Sequence, residues 1–319
     1  MSRYSTQPLD FAGLKTVSIH DRGGKVRTEH FARPYRRGDG VSGLLDSLPH
    51  LLAADGLRQV AAAMAKARAG NRQIIWGFGG HVIKCGLAPV LLNLMERGFA
   101  TAFAMNGSGA IHDFEIAIAG HTAKTLKRCC RTGAFGSAEE TGREMNVSIA
   151  EGDAAGLGIG EALGKTLDRI ALPAFREQSL VYSAYQASVP VTVHVAIGTD
   201  TPHTHPAAVA SAIGSATHCD FRLFCGLVSG LDEGGVYLNV GSAVIMPEVF
   251  LKAVSSVRNL GYPLANFTTV NFDFVQHYRP KLNVVERPHV QAGGKGYALT
   301  GHHEIMIPLL AAILLESEK

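Results

Sequence analysis

The sequence predicts an α/β protein, a Rossmann-like, doubly wound and mostly parallel sheet with helices on both faces. Three observations carry this. Short apolar runs alternate with segments of helical periodicity along most of the chain, the pattern of strands covered by crossover helices. The strand-like runs end in glycine-rich or small polar turns, at Asn106 to Gly109, Gly198 to His205 and Gly241 to Ser242, where open α/β sheets bind their ligands. No Pro-, Ser- or Gly-rich stretch is long enough to separate two domains, so residues 1–319 are expected to form one domain with an N-terminal arm of about 1–45.

Each element has its own signal. Residues 52–69 form an alanine-rich helix pattern, and Gln73 to Trp76 a strand that enters the glycines at 77, 79 and 80. From Gly80 to Ala117 the text predicts one nucleotide-binding unit. Leu87, Val90, Leu91, Leu94 and Met95 recur at helical spacing, Gly98 stands at a C-terminal cap, Thr101 to Met105 is an apolar run, and a second glycine-rich turn follows. The section from Cys129 to Gly164 is rich in glycine and charge and is expected to be a surface excursion with one or two helices. Its Gly156, Gly158 and Gly160 lack the preceding strand that a dinucleotide loop needs. The alternation then resumes with helix 179–187, strand 190–197, helix 206–216, the apolar run Phe221 to Leu227, the run 234–242, helix 247–259, strand 266–272 and helix 303–316.

Composition narrows the function classes. With 46% apolar and 18% charged residues the chain can bury a large core. The net charge of +3 includes a basic concentration at Arg22, Lys25, Arg27, Arg33, Arg36 and Arg37, which reads as a solvated arm or a subunit contact, since no aromatic interleaving or binding motif points to nucleic acid. The polar start and the absence of an apolar run near the ~20 residues of a membrane span lead to the expectation of a cytoplasmic protein with no membrane partner. Five cysteines without Cys-x-x-Cys spacing are expected to be reduced thiols, mostly buried, with Cys129 and Cys130 diverging on a helix.

Several segments, taken in order, are similar to the deoxyhypusine synthase family, over roughly residues 50–314: Gly80 to Gly86 before a helix, Ala104 to Phe114, Ser179 to Val191, Thr199-Asp200, Leu238 to Glu248, Asn266 to Asp273, and Gly296 to Thr300 leading to Ile307 to Leu314. The resemblance implies a Rossmann-like NAD-binding fold, with sites at subunit interfaces of a homo-oligomer, a dimer or tetramer. It implies a cofactor set of Gly86, Asn106, Gly107, Thr199, Asp200, Gly241, Ser242 and Asp273. Small residues there admit a pyrophosphate, and a carboxylate accepts hydrogen bonds from cofactor hydroxyl or amide groups.

The substrate half of that family's site is replaced. Where the family carries paired acids this chain has Ile111 and His112, a further acid is replaced by His205, and a histidine by Pro247. The family's catalytic lysine has no clear counterpart, with Lys281 and Lys295 on either side, and Trp76 is the only tryptophan. A polyamine needs carboxylates and imine transfer needs an amine, so the expected substrate is a small molecule that is not a polyamine. His112, His203 and His205, with Asp113 or Asp200, are expected to converge, because residues two apart in an extended loop face one side. His112, His205, Asp200 and Asp113 are the catalytic candidates. As ligands, His112, His203 and His205 would hold Zn²⁺ or another divalent metal, and the alternative function is a metal-assisted hydrolase or lyase without a dinucleotide. The pair His302-His303 is expected at the start of the last helix, one reaching a ligand and the other facing solvent.

Overall fold

The computed structural model describes residues 3–122, 138–290 and 293–318, and its strands form one parallel six-stranded sheet. Residues 3–39, all exposed but for the half-buried His30, carry only the 3-10 turn Thr28–His30, after which the helices α1 (Gly40–Ser47) and α2 (Leu52–Ala69) lead in. In α2, Leu57, Val60, Ala61, Met64 and Ala67 line one buried stripe at helical spacing, and Lys66 and Arg68 in the last turn complement the dipole.

Strand β1 (Ile74–Phe78) is followed by the single-turn helix α3 (Gly80–Lys84), then α4 (Ala88–Glu96), β2 (Ala102–Asn106) and α5 (Gly107–Ala119). Helix α5 starts because the Asn106 side chain accepts from the Gly109 N–H at 3.0 Å, and stops at Gly120, which has the left-handed φ of 73°. Next come α6 (Glu139–Ala154), α7 (Ile159–Ile170), α8 (Leu180–Gln186), β3 (Val191–His194), the 3-10 turn Thr201–Thr204 and α9 (Ala210–Ser229). Strand β4 (Val236–Val240), α10 (Ile245–Asn259), β5 (Thr268–Asp273), an irregular helical passage over 278–289, β6 (Lys295–Thr300) and α11 (His303–Glu316) complete the chain.

The strand order is β3-β2-β1-β4-β5-β6, with every neighbouring pair parallel. This is the order of a dinucleotide-binding Rossmann sheet, and its direction of winding reverses between β1 and β4. All carboxyl ends lie on one edge, as the sequence predicts. Strands β1 and β4 are buried along their whole length, so their side chains alternate between two cores. Trp76, Phe78, Leu238 and Val240 face the core built with α2, α4, α5 and α11, and the Trp76 indole donates to the Phe99 carbonyl at 2.9 Å. Ile75 and Tyr237 face the core under α9 and α10. Tyr237 stacks on Phe250 with ring centroids 3.8 Å apart, and its phenol crosses beneath Gly77, where a Cβ would lie 2.3 Å from the hydroxyl oxygen.

Three expectations are corrected. Phe221 to Leu227 is part of the continuous helix α9, because Phe224 and Val228 continue its buried stripe past Ile213 and Ala216. The described part of 129–164 is not a surface excursion: Met145, Ile149, Ile159 and Leu163 join the main core. Strand β3 ends at His194 rather than 197, since Val195 already bonds sideways to Thr217 Oγ1. Strand β6 had no clear signal, because it is an edge strand with only Leu299 buried. Cys129 and Cys130 lie outside the described residues, and Cys85, Cys219 and Cys225 are half-buried free thiols. Among the described residues no helix is long and apolar enough to cross a membrane.

Candidate active site

The carboxyl edge is drawn together at the β1/β4 switch point by glycines. Gly79 donates to the Val240 carbonyl at 3.2 Å, and a Cβ on Gly79 would lie 2.7 Å from the Gly241 carbonyl oxygen. A Cβ on Gly80 would lie 2.3 Å from Ser108 Oγ, so the starts of α3 and α5 abut. A Cβ on Gly241, whose φ is 60°, would lie 2.7 Å from the His303 ring. These glycines are needed for close approach of the chain to itself, and they form the floor of the edge.

On the β2/β3 side, Asp200 is the distinctive group. Its carboxylate lies against Gly107, the first residue of α5, at 2.1 Å from where a Cβ would stand. It is 9% exposed, and its Oδ2 is buried without a hydrogen-bond partner. Burial raises its pKa from 3.8 to about 6. Thr199 beside it is exposed and donates to the Ala196 carbonyl at 2.8 Å. Gly86, with φ of 73°, ends the α3 turn with open space around it.

On the β4/β5 side stand Ser242, Asp273 and His303. Ser242 Oγ accepts from the Met246 N–H at 3.2 Å and so caps α10. Asp273 Oδ1 accepts from the Phe274 N–H at 2.8 Å and lies 3.8 Å from His303 Nε2. His303 is fully buried, its Nε2 is 3.3 Å from the Phe272 carbonyl, and its Nδ1 has no partner. Burial lowers its pKa, and the Asp273 charge opposes that. His81, Phe274 and His302 complete an aromatic cluster, with the His81 and His303 rings 5.5 Å apart and Phe274 stacked on His302 at 5.9 Å. The expectation for the 302–303 pair is matched in part, with His303 buried and His302 67% exposed.

The sequence-derived histidine constellation does not assemble. Residues 201–204 form a 3-10 turn, where positions two apart diverge rather than share a side. His203 Nδ1 accepts from the Gly198 N–H at 3.3 Å, whereas His205 packs on α6, with Nε2 3.2 Å from Glu139 and its ring over Gly142. His112 bonds to Thr122 Oγ1 at 2.7 Å, in a chain that continues to Glu115, and burial lowers its pKa. Among the described residues the three are not within common ligand distance, and the one triad that is consists of His81, Cys85 and Glu304. Asp113 is turned away from the edge altogether. Fully buried, it accepts from Ser179 Oγ and from the Leu180 and Val181 N–H groups, which makes it a cap for α8. The His81 and Cys85 pair was marked in the sequence by i,i+4 spacing, but nothing local tied it to residues 303 and 304.

No family model matches the sequence, and no curated protein matches it either. Solved structures do resemble it. A candidate LOR/SDH protein from Methanococcus maripaludis S2 is 16% identical with a TM-score of 0.53, over 83% of this chain and 70% of that one. A candidate deoxyhypusine synthase from Entamoeba histolytica is 11% identical with a TM-score of 0.52, over 90% of this chain and 97% of that one. ArgZ, an arginine dihydrolase from the ornithine-ammonia cycle in cyanobacteria, is 16% identical with a TM-score of 0.50, over 84% of this chain but 33% of that one. What is shared at these identities is the Rossmann-like fold.

Proposed function

We propose that this chain is a deoxyhypusine-synthase-like enzyme that binds NAD or a related nucleotide across the carboxyl edge and acts on a small substrate other than a polyamine. The observation that carries the reading is Asp200, a buried carboxylate with an unpartnered oxygen at the start of a 13-residue helix, at the carboxyl ends of β2 and β3. A carboxylate so placed destabilises the protein unless a hydroxyl or amide of a ligand donates to it.

The residues suit a dinucleotide on two counts. Asp200 is an acceptor awaiting a donor, and the α5 N-terminus presents N–H groups and positive potential suited to phosphate. The glycines at 79, 80, 107 and 241 are filled by the chain's own atoms, so the ligand would lie above this floor, with Gly86 leaving open space at the α3 turn. When bound, a nicotinamide cofactor supplies hydride transfer. His303, fully buried against Gly241 and held by the Phe272 carbonyl and Asp273, supports the β4/β5 end under the ligand. Asn106 and Ser242 keep α5 and α10 aimed at the edge through their capping bonds. The absence of a matching lysine and of acids at 111, 112 and 205 supports a substrate unlike a polyamine.

A homo-oligomer belongs to the same reading. Leu9, Phe11, Leu14, Val17 and Ile19 in the arm are each at least 68% exposed, as a segment that packs on a second copy would be. Calorimetric titration with NAD, NADP, ADP-ribose and AMP tests the function, with Asp200→Asn as the control. Heat from at least one of them, lost in the variant, is the expected result. No heat from any at millimolar concentration overturns the reading.

A further inference from the structure

We propose that His81, Cys85 and Glu304 form a zinc site at the carboxyl edge of β1. His81 and Cys85 stand four residues apart on the turn of α3 and so project from one face. Glu304 arrives from the start of α11, more than 200 residues later, because that helix starts against Phe272 and Gly241 at the β5 and β4 ends. His81 Nε2 lies 3.3 Å from Cys85 Sγ, Cys85 Sγ lies 3.8 Å from Glu304 Oε2, and one donor atom from each side chain falls within 4.8 Å of the others.

The distances suit zinc. Tetrahedral bonds of about 2.0–2.3 Å hold neighbouring N, S and O donors roughly 3.6 Å apart, and the two shorter separations fall on either side of that. The donor set also selects the ion, since thiolate plus imidazole favours zinc over magnesium or calcium, and a carboxylate is an accepted third ligand. Outer contacts fix the imidazole, whose ring meets Phe274 and His303 edge to face at 6.0 and 5.5 Å.

A nucleophilic Cys-His-Glu triad is the competing use of the same residues, and the geometry disfavours it. In such a triad the acid bonds the far nitrogen of the imidazole. Here the carboxylate instead lies beside sulfur, where it repels the thiolate a nucleophile needs. A divalent cation removes that conflict, because thiolate and carboxylate both attract it. His81 and Glu304 are exposed and Cys85 half-buried, so three protein ligands leave a fourth position for water, the arrangement of a catalytic rather than a structural zinc.

The proposal stands apart from nucleotide binding. Protein stripped with a chelator is titrated with zinc sulfate against a chromophoric competitor, then with cobalt(II). One equivalent of zinc is expected, together with a thiolate-to-cobalt charge-transfer band and tetrahedral visible bands. Cys85→Ser should abolish the charge-transfer band, and His81→Ala or Glu304→Gln should weaken zinc by at least about 100-fold. Circular dichroism confirms that these surface variants fold, and NAD heats measured on the same samples separate loss of zinc from loss of nucleotide. Substoichiometric zinc, a cobalt spectrum without the thiolate band, or unchanged affinity in Cys85→Ser would overturn the site.

Discussion

Replacing Asp200 by Asn should make the ligand-free protein more stable while removing its nucleotide binding. The carboxylate has one oxygen sealed without a donor, and burial moves its pKa from 3.8 to about 6. That displacement corresponds to about 3 kcal/mol against folding once the group is ionised in both states. The sign follows from proton binding: between the unfolded and folded pKa values the native state holds more protons, so the wild type loses stability as pH rises from about 4 to about 7. Asn carries no charge and escapes this loss. Urea unfolding of both proteins at pH 4.5 and 7.5, without ligand, should show a gap that widens toward the higher pH. A variant less stable than wild type at pH 7.5, or a gap independent of pH, would mean that the carboxylate is satisfied within the chain, and the argument for a ligand would fall.

Asp113→Ala should cost about 3 kcal/mol in chemical denaturation, because it strips three donors at the start of α8 of their acceptor; a loss below about 1 kcal/mol contradicts the capping role. Gly160→Ala should destabilise by about 3 kcal/mol, since its Cβ would lie 1.8 Å from the Val191 carbonyl oxygen, and wild-type melting would refute this. His112→Ala and His205→Ala should leave zinc stoichiometry and NAD heat unchanged, as each imidazole is engaged with its own carboxylate-bearing neighbourhood; loss of metal in either restores the histidine site rejected above.

Much of the fold is legible because its signals are local. Helices 52–69 and 303–316 coincide with the observed bounds, and Asn106 and Gly120 punctuate α5 by capping chemistry that sequence displays directly. The site is less legible because its meaning is set by neighbours. Gly79, Gly107 and Gly241 look the same in sequence whether a phosphate or the protein's own Asp200, His303 and carbonyls fill the space beside them. Asp113 and Asp200 are both acids after glycine-rich turns, yet one faces three donors and the other none. The spacing of His203 and His205 points to one shared side, whereas the 3-10 turn over 201–204, ending at an extended His205, sends them apart. The His81, His303 and Glu304 cluster depends on β1, β4 and β5 being adjacent, which no stretch of sequence announces.

The phenol of Tyr237 beneath Gly77 bears on how such a sheet can drift in sequence. The two residues are diagonal neighbours on adjacent central strands, and the hydroxyl is buried without a partner. A side chain at 77 is tolerated only after the ring at 237 shrinks, so relatives should exchange the two positions together, passing through the smaller residue first. Evolution along this path is ordered: 237 must change before 77, and a chain that keeps tyrosine holds its glycine captive.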